Sequence, residues 1–360
     1  MQFRPIFKSI KTITFTFFGV FLMLISLRGA AQEHHGAESV GEIAEEKFSP
    51  TETILEHISD AHHWHLWGHT AIPLPVIVYT DKGIEVFSAA KIGHGEHVEP
   101  YQGKYYTYTL VKEKLKVADE AGNVDEAATK KIIDFSITKN VVALFLSVIL
   151  LLIIFLSIAG SYKTREGKAP KGMQSLLEPF ILFVRDDIAR PNIGHKYPRY
   201  MPLLLTVFFF IWLNNIMGLI PFFPGGANVT GNIAVTIVLS VVTLIVVNFS
   251  GNKYYWKHIF LPSTPWWLYP IMWPVELIGV ISKPFALLVR LFANITAGHI
   301  IVLSLISLIF IFKSLAIAPV SVAFVLFMDV LELLVAFLQA FIFTMLTALF
   351  IGMAVEEHHH

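Results

Sequence analysis

The chain has no cysteine among its 360 residues. Disulfides, thiolate metal sites, iron–sulfur clusters and cysteine nucleophiles are therefore excluded. It has no excess of either charge, with 27 Lys and Arg against 27 Asp and Glu, so nothing suggests a nucleic-acid partner. It lacks a phosphate loop of the GxxxxGK[ST] type, which leaves nucleotide binding unsupported. It also lacks the internal repeats or paired broken helices expected of a substrate transporter. What it holds in excess is apolar residues, 55% of the chain, with a mean hydropathy of +0.63. A soluble domain of this length does not carry so many in long blocks, and the composition indicates a polytopic membrane protein.

The charges are unevenly spread, and their distribution predicts a topology. Arg4, Lys8 and Lys11 precede an apolar run at 13–27 and the small residues RGAAQ, which read as a signal peptide over 1–31 cleaved after Ala31. An uncleaved first membrane helix is the alternative; in either case the next segment lies outside the cytoplasm. Residues 32–135 are polar and mixed, and predict a small exported, periplasmic domain with marginal packing of its own. Within it, DKG at 81–83 separates PLPVIVYT from IEVFS, the pattern of a hairpin. KYYTYTLVKEKLKV at 104–117 predicts a third strand, and 32–63 a loop-rich or helical stretch.

Residues 136–360 form the membrane domain. VVALFLSVILLLIIFLSIAG at 141–160 is long enough to cross a hydrocarbon core of about 30 Å. The segment 161–200 carries Lys163, Arg165, Lys168, Lys171, Arg185, Arg190, Lys196 and Arg199, so it is expected on the cytoplasmic side. Leu176, Leu177, Phe180, Ile181, Val184 and Ile188 repeat there at helical spacing and suggest a helix lying on the membrane surface. Further spans are expected at 202–222 and 232–249. A basic, aromatic stretch follows at 251–270, then two long helices at about 272–311 and 319–353. The last, at about 52 Å, exceeds the bilayer core and must tilt or project. The expected fold is an all-α membrane protein of five mature spans, the last two a long tilted hairpin, with the C-terminus cytoplasmic.

Ionisable groups within spans are costly, so those present need a reason. They gather in the last two helices: Glu276, Lys283, Arg290, Asn294, His299, Asp329, Glu332 and Gln339. Arg290 cannot lose its proton and needs a negative partner; the alternative is that it snorkels to the interface. Asn294 lies one turn on and shares its face. His299 falls near the opposite side, into the bundle. Glu332 and Gln339 share a face of the last helix, with Asp329 one turn earlier. A titratable His beside a titratable Glu makes a proton-conducting pair, with Asn294 and Gln339 as relays. A structural polar interface between two helices is the other reading.

At these residues the chain resembles subunit a of F-type ATP synthases. SKPFALLVRLFANITAGH, ELLVAFLQAFIFTMLTALFIGMAVEEH and MPLLLTVFFFIWLNNIMGLIP are similar to three motifs of that family, in its order, and the likeness covers roughly 130–357. The resemblance implies a proton-translocating membrane subunit that is not itself an enzyme and needs no cofactor. It implies partners in a ring of c subunits, in peripheral-stalk b subunits, in other subunits of the complex and in the lipid bilayer of the cell inner membrane. It implies that Arg290 faces the ring carboxylates. His299 and Glu332 occupy places where relatives carry Glu and His respectively, as if exchanged. An outer half-channel would run through His299, Glu332, Asn294 and Gln339, and an inner one would open near Glu276. Two departures stand out: Ala286 replaces a Ser, and Thr138 stands where some relatives carry a carboxylate just before the first span.

A different class of function is a metal-binding exported protein with a membrane anchor. HISDAHHWHLWGH at 57–69 supplies His62, His63, His65 and His69, but their spacing matches no tight zinc pattern and no cysteine assists. No metal site is expected.

Overall fold

The computed structural model describes residues 59–67, 70–93, 98–111, 113–119, 122–164, 168–220, 223–260, 265–312 and 317–356. The expected signal peptide, most of the 32–63 stretch, His69 and the terminal histidines lie outside the described residues.

Short strands come first. β1 (His63–Trp67) pairs antiparallel with β2 (Thr70–Pro73). β3 (Pro75–Thr80) pairs with β4 (Gly83–Ser88) on one edge and with β8 (Ile133–Asp134) on the other. The expected hairpin forms because Gly83 takes φ +138°, which only glycine adopts freely, and Thr80 Oγ1 closes the turn on the Gly83 carbonyl at 2.8 Å. The stretch 104–117 is not one strand. It reverses at Glu113, which has φ 61°, and makes a hairpin of β6 (Thr107–Val111) and β7 (Lys114–Ala118), with β5 (Tyr101–Gln102) beside β6. The packing is better than the sequence suggests. Val76, Val78, Phe87, Tyr108, Leu110, Leu115 and Val117 alternate inward from both sheets into one core. Glu85 is buried in it, accepting from the Tyr108 hydroxyl at 2.9 Å.

A short helix, α1 (Glu126–Thr129), is capped by Asp125, whose carboxylate accepts from Ala127 and Ala128 N–H. The chain then enters the long helices: α2 (Lys139–Thr164), α3 (Met173–Phe183), α4 (Arg190–Ile193), α5 (Tyr197–Leu219), α6 (Ile233–Ser250), α7 (Lys253–Phe260), α8 (Tyr269–Phe312) and α9 (Ala318–Val355). Among the described residues five helical stretches are long and apolar enough to cross a membrane, and the protein is a mostly helical multi-pass membrane protein. α8 and α9 have 44 and 38 residues, about 66 and 57 Å at 1.5 Å per residue, well beyond a core of about 30 Å. They pack together as a hairpin. Pro274 and Pro284 sit inside α8 without ending it.

The stripe read as a membrane-surface helix faces protein from Leu177 to Ile188, and Leu176 alone of it is exposed. α3 runs into a π-helical turn, Val184–Ala189, which swings the stripe inward. Phe180 packs on Trp212 and Phe337, with centroids 4.6 and 6.1 Å apart, and Phe183 packs on Phe208, Phe337 and Phe341. Amphipathic spacing cannot distinguish a helix that faces lipid from one that faces its neighbours. The core of the bundle gathers Val184, Ile188, Leu204, Phe208, Ile211, Leu287, Leu291, Ala340, Phe343, Ala348 and Ile351. Thr236, Ser240 and Thr243 form a buried polar row on α6, their hydroxyls satisfied by carbonyls of their own helix.

Candidate functional site

Two polar sites lie on opposite sides of α8. The inner-facing one centres on His299 and Glu332, whose Nδ1 and Oε1 are 2.9 Å apart. The His299 ring is also held by its own helix: Nδ1 lies 3.1 Å from the Ile295 carbonyl one turn back. That carbonyl takes the aligned N–H, so Oε1 of Glu332 sits at ion-pair distance, buried, without a hydrogen bond in line. The close approach depends on Gly298. A methyl group there would stand 2.6 Å from Oε1 and 3.1 Å from Cγ of Glu332, so the carboxylate occupies the space that a side chain would fill.

Two residues from α5 complete this cluster. Asn215 donates from Nδ2 to the Ala336 carbonyl at 3.2 Å, one turn along α9 from Glu332, and accepts at Oδ1 from the Thr230 hydroxyl at 2.6 Å. Gly218, one turn further along α5, lies under the His299 ring: a Cβ there would be 4.0 Å from Nε2 and 3.5 Å from the Ala227 carbonyl. Asn214 is buried as well, with Oδ1 unpartnered and Nδ2 donating to Phe210 at 2.8 Å. The sequence reading passed over Asn214, Asn215 and Thr230. The signal was there in WLNNIMG, two adjacent amides in an apolar span, and the cost argument used for Arg290 applies to them equally.

Gln339 and Asp329 are both buried on the face of α9 that carries Glu332. Asn294 is exposed on the other side of α8, away from the pair it was expected to serve. It shares that side with Arg290, also exposed, and among the described residues no carboxylate comes within ion-pair distance of Arg290. Ala286, Ala293 and Ala297 flank the guanidinium on the same exposed stripe. Small side chains at this spacing allow another helix to approach closely.

At the far end, Glu276 Oε1 lies 3.8 Å from His258 Nδ1, and Lys283 Nζ stands 5.6 Å from the ring of Phe350. Glu276, Lys283 and Arg290 are spaced seven apart along α8. Thr138 Oγ1 donates to Asp60 Oδ2 at 2.7 Å, and Asn140 N–H donates to Asp60 Oδ1 at 3.0 Å. Asp60 thereby caps the exposed start of α2 from the strand region. Among the described residues no group of His, Asp and Glu has metal-holding geometry. The His62 ring is committed to Asp134 and to the Glu113 carbonyl, each at 3.1 Å.

Comparison with known proteins gives an independent reading of this arrangement. Residues 141–352, more than half of the chain, match the family model described as ATP synthase A chain. Residues 53–135 match a domain of unknown function, DUF8433. The chain is 50% identical over 232 residues to ATP synthase subunit a of Chloroherpeton thalassium, covering 63% of this chain and 69% of the relative. It is 49% identical over 234 residues to ATP synthase subunit a 2 of Prosthecochloris aestuarii, covering 63% and 71%. It is 41% identical over 285 residues to ATP synthase subunit a of Chlorobium phaeobacteroides, covering 76% and 82%.

Proposed function

The chain belongs to the ATP synthase A chain family and is thus a membrane-sector subunit, and we propose that it passes protons through two offset half-channels separated by Arg290. The observation that carries this reading is Arg290 itself. A guanidinium stays charged at any accessible pH, yet this one is exposed on a membrane span with no carboxylate among the described residues in reach. Its counter-charge must come from another subunit, and the flanking Ala286, Ala293 and Ala297 leave room for that helix. A ring of c subunits, each with a mid-membrane carboxyl, fits the requirement. A protonated carboxyl can face lipid, whereas an ionised one is too costly to bury alone. As a carboxyl rotates to Arg290, the fixed cation favours its ionisation and the proton leaves.

The His299–Glu332 pair is the proton station of the outer half-channel. An imidazole and a carboxyl in direct reach of one another can pass a proton between them. Asn215 and Gln339 line its continuation along α9. Asn294 belongs to the ring-facing side, where it can hydrogen-bond an arriving carboxyl. The inner half-channel opens at Glu276 and Lys283. Arg290 stands between the two paths and blocks a direct proton leak. The subunit performs no ATP chemistry; it converts proton flow into ring rotation, held against that rotation by the b subunits. The orientation that suits this role places the strand domain outside, in the periplasm, and the basic 161–200 segment and the C-terminus in the cytoplasm. The test is Arg290→Ala in the assembled complex. ATP-driven acidification of inverted vesicles should vanish while the complex remains intact, and normal acidification would refute the mechanism. Arg290→Lys should be badly impaired, because an ammonium on a flexible stem loses its proton when buried and lacks the planar fork.

A further inference from the structure

We propose that the strand domain before the first span is a fitted cover for the outer half-channel, and that Trp64 is the positioning residue through which it acts. The inference rests on the reading of His299 and Glu332 as a proton station. It begins from an oddity of burial. The connection between α5 and α6 is a loop at the end of a bundle, where backbone is ordinarily solvent-facing. Here Ala227, Asn228, Val229 and Thr230 are all buried. From one side they are covered by the bundle, and from the other by Trp64 of β1, which is 3% exposed and packs with Ala143, Ala227 and Val229. Its ring meets Phe223 edge-on at 5.1 Å.

Trp64 cannot drift from this seat, because β1 is tied to the start of α2 just beside it. The Lys139 N–H donates to the Ala61 carbonyl at 2.9 Å, and Asp60 bonds Thr138 and Asn140. The domain and the first span thus form one rigid corner. From Trp64 the contacts lead inward without a gap. The loop it presses holds the Ala227 carbonyl over Gly218, which lies under the His299 ring. The same loop supplies the Thr230 hydroxyl to Asn215. The Ala336 carbonyl, which can only accept, holds the Asn215 amide with Nδ2 toward it and Oδ1 toward Thr230, and so the loop is joined through α5 to α9 one turn from Glu332. The domain therefore sets the register of the helix that carries the carboxylate, although none of its described residues reaches the pair.

The absence of cysteine makes a clean experiment possible. A single reporter, Ala227→Cys, is placed in the full complex in sealed vesicles and treated from the outer side with a membrane-impermeant maleimide. With Trp64 present, labelling should be slow. Adding Trp64→Ala should speed it about tenfold, as local opening replaces a packed contact, and Trp64→Phe, which retains a ring against Phe223, should restore slow labelling. Unchanged labelling in Trp64→Ala would overturn the cover. Passive proton flux through the membrane sector, measured without the reporter, should fall about tenfold in Trp64→Ala, within the range of coupling carried by a backbone shift. Thr230→Val should lower flux equally while leaving Ala227→Cys labelling slow, because it cuts the link below the cover. Full flux in either variant would overturn the positioning role. The labelling arm does not depend on proton conduction, so a failure of the proton-station reading would leave it standing.

Discussion

Gly298→Ala is the sharpest test of the His299–Glu332 station, because the two effects of the substitution oppose each other. In a helix interior, alanine is more favourable than glycine by about 1 kcal/mol, so α8 should become locally more stable. The new methyl would stand 2.6 Å from Oε1 and 3.0 Å from Cδ of Glu332. Ordinary contact requires about 3.5 Å, so the carboxylate must retreat by about 0.9 Å; it can, since it ends a flexible side chain. Retreat along the line to His299 lengthens the 2.9 Å separation to about 3.8 Å. At an effective dielectric of about 20 this weakens the attraction by about 1.4 kcal/mol, a factor of about ten. Gly218→Ala is the matched control. Its methyl would meet the Ala227 carbonyl at 3.5 Å and His299 Nε2 at 4.0 Å, both ordinary contacts. ATP-driven acidification of inverted vesicles should drop about tenfold for Gly298→Ala and stay near the parent for Gly218→Ala. Equal activity of the two glycine variants would refute the claim that the carboxylate's position matters.

Other expectations follow from different contacts. The swap His299→Glu with Glu332→His should retain more proton flux than either single change, with a coupling of about 1 kcal/mol in a double-mutant cycle; additive effects would separate the two residues. Burial disfavours the charged His62 ring, but its hydrogen bond to Asp134, that residue's charge and the Glu113 carbonyl outweigh it, so its pKa lies above the ordinary value. The stability His62 contributes should be complete below about pH 6.5 and lost as pH rises through the raised pKa. Proteolysis of the strand domain should therefore accelerate in mildly alkaline solution, and His62→Gln should flatten that dependence. Gly352→Ala would drive a methyl into the backbone carbonyl of Asn192, which cannot swing aside. It should destabilise the packing of α9 on α4 by about 2 kcal/mol, read as a lower melting temperature of the purified complex.

Length and apolarity alone located the spans, because a bilayer crossing needs a run that nothing else in a protein needs. The expected limits at 141–160 and 319–353 fall inside α2 and α9, and 232–249 lies within one residue of α6 at each end. The cost of burying charge picked out Arg290, His299 and Glu332, and helical spacing put Arg290 and His299 on opposite sides of α8. The tertiary structure decided what periodicity could not. The stripe from Leu177 to Ile188 turned inward, because only neighbours such as Trp212 and Phe337 determine whether an apolar face meets lipid or protein. Asn294 parted from the pair it was assigned to, and Asn215 and Thr230 took its place, since contacts between helices depend on rotation and crossing that a linear pattern does not encode. Asp60 placed a carboxylate from outside the span on Thr138 and the start of α2. Trp64 reached the roof of the site from a strand more than 200 residues before His299. Contacts at such separations arise only when the whole chain has folded, and no local propensity carries them.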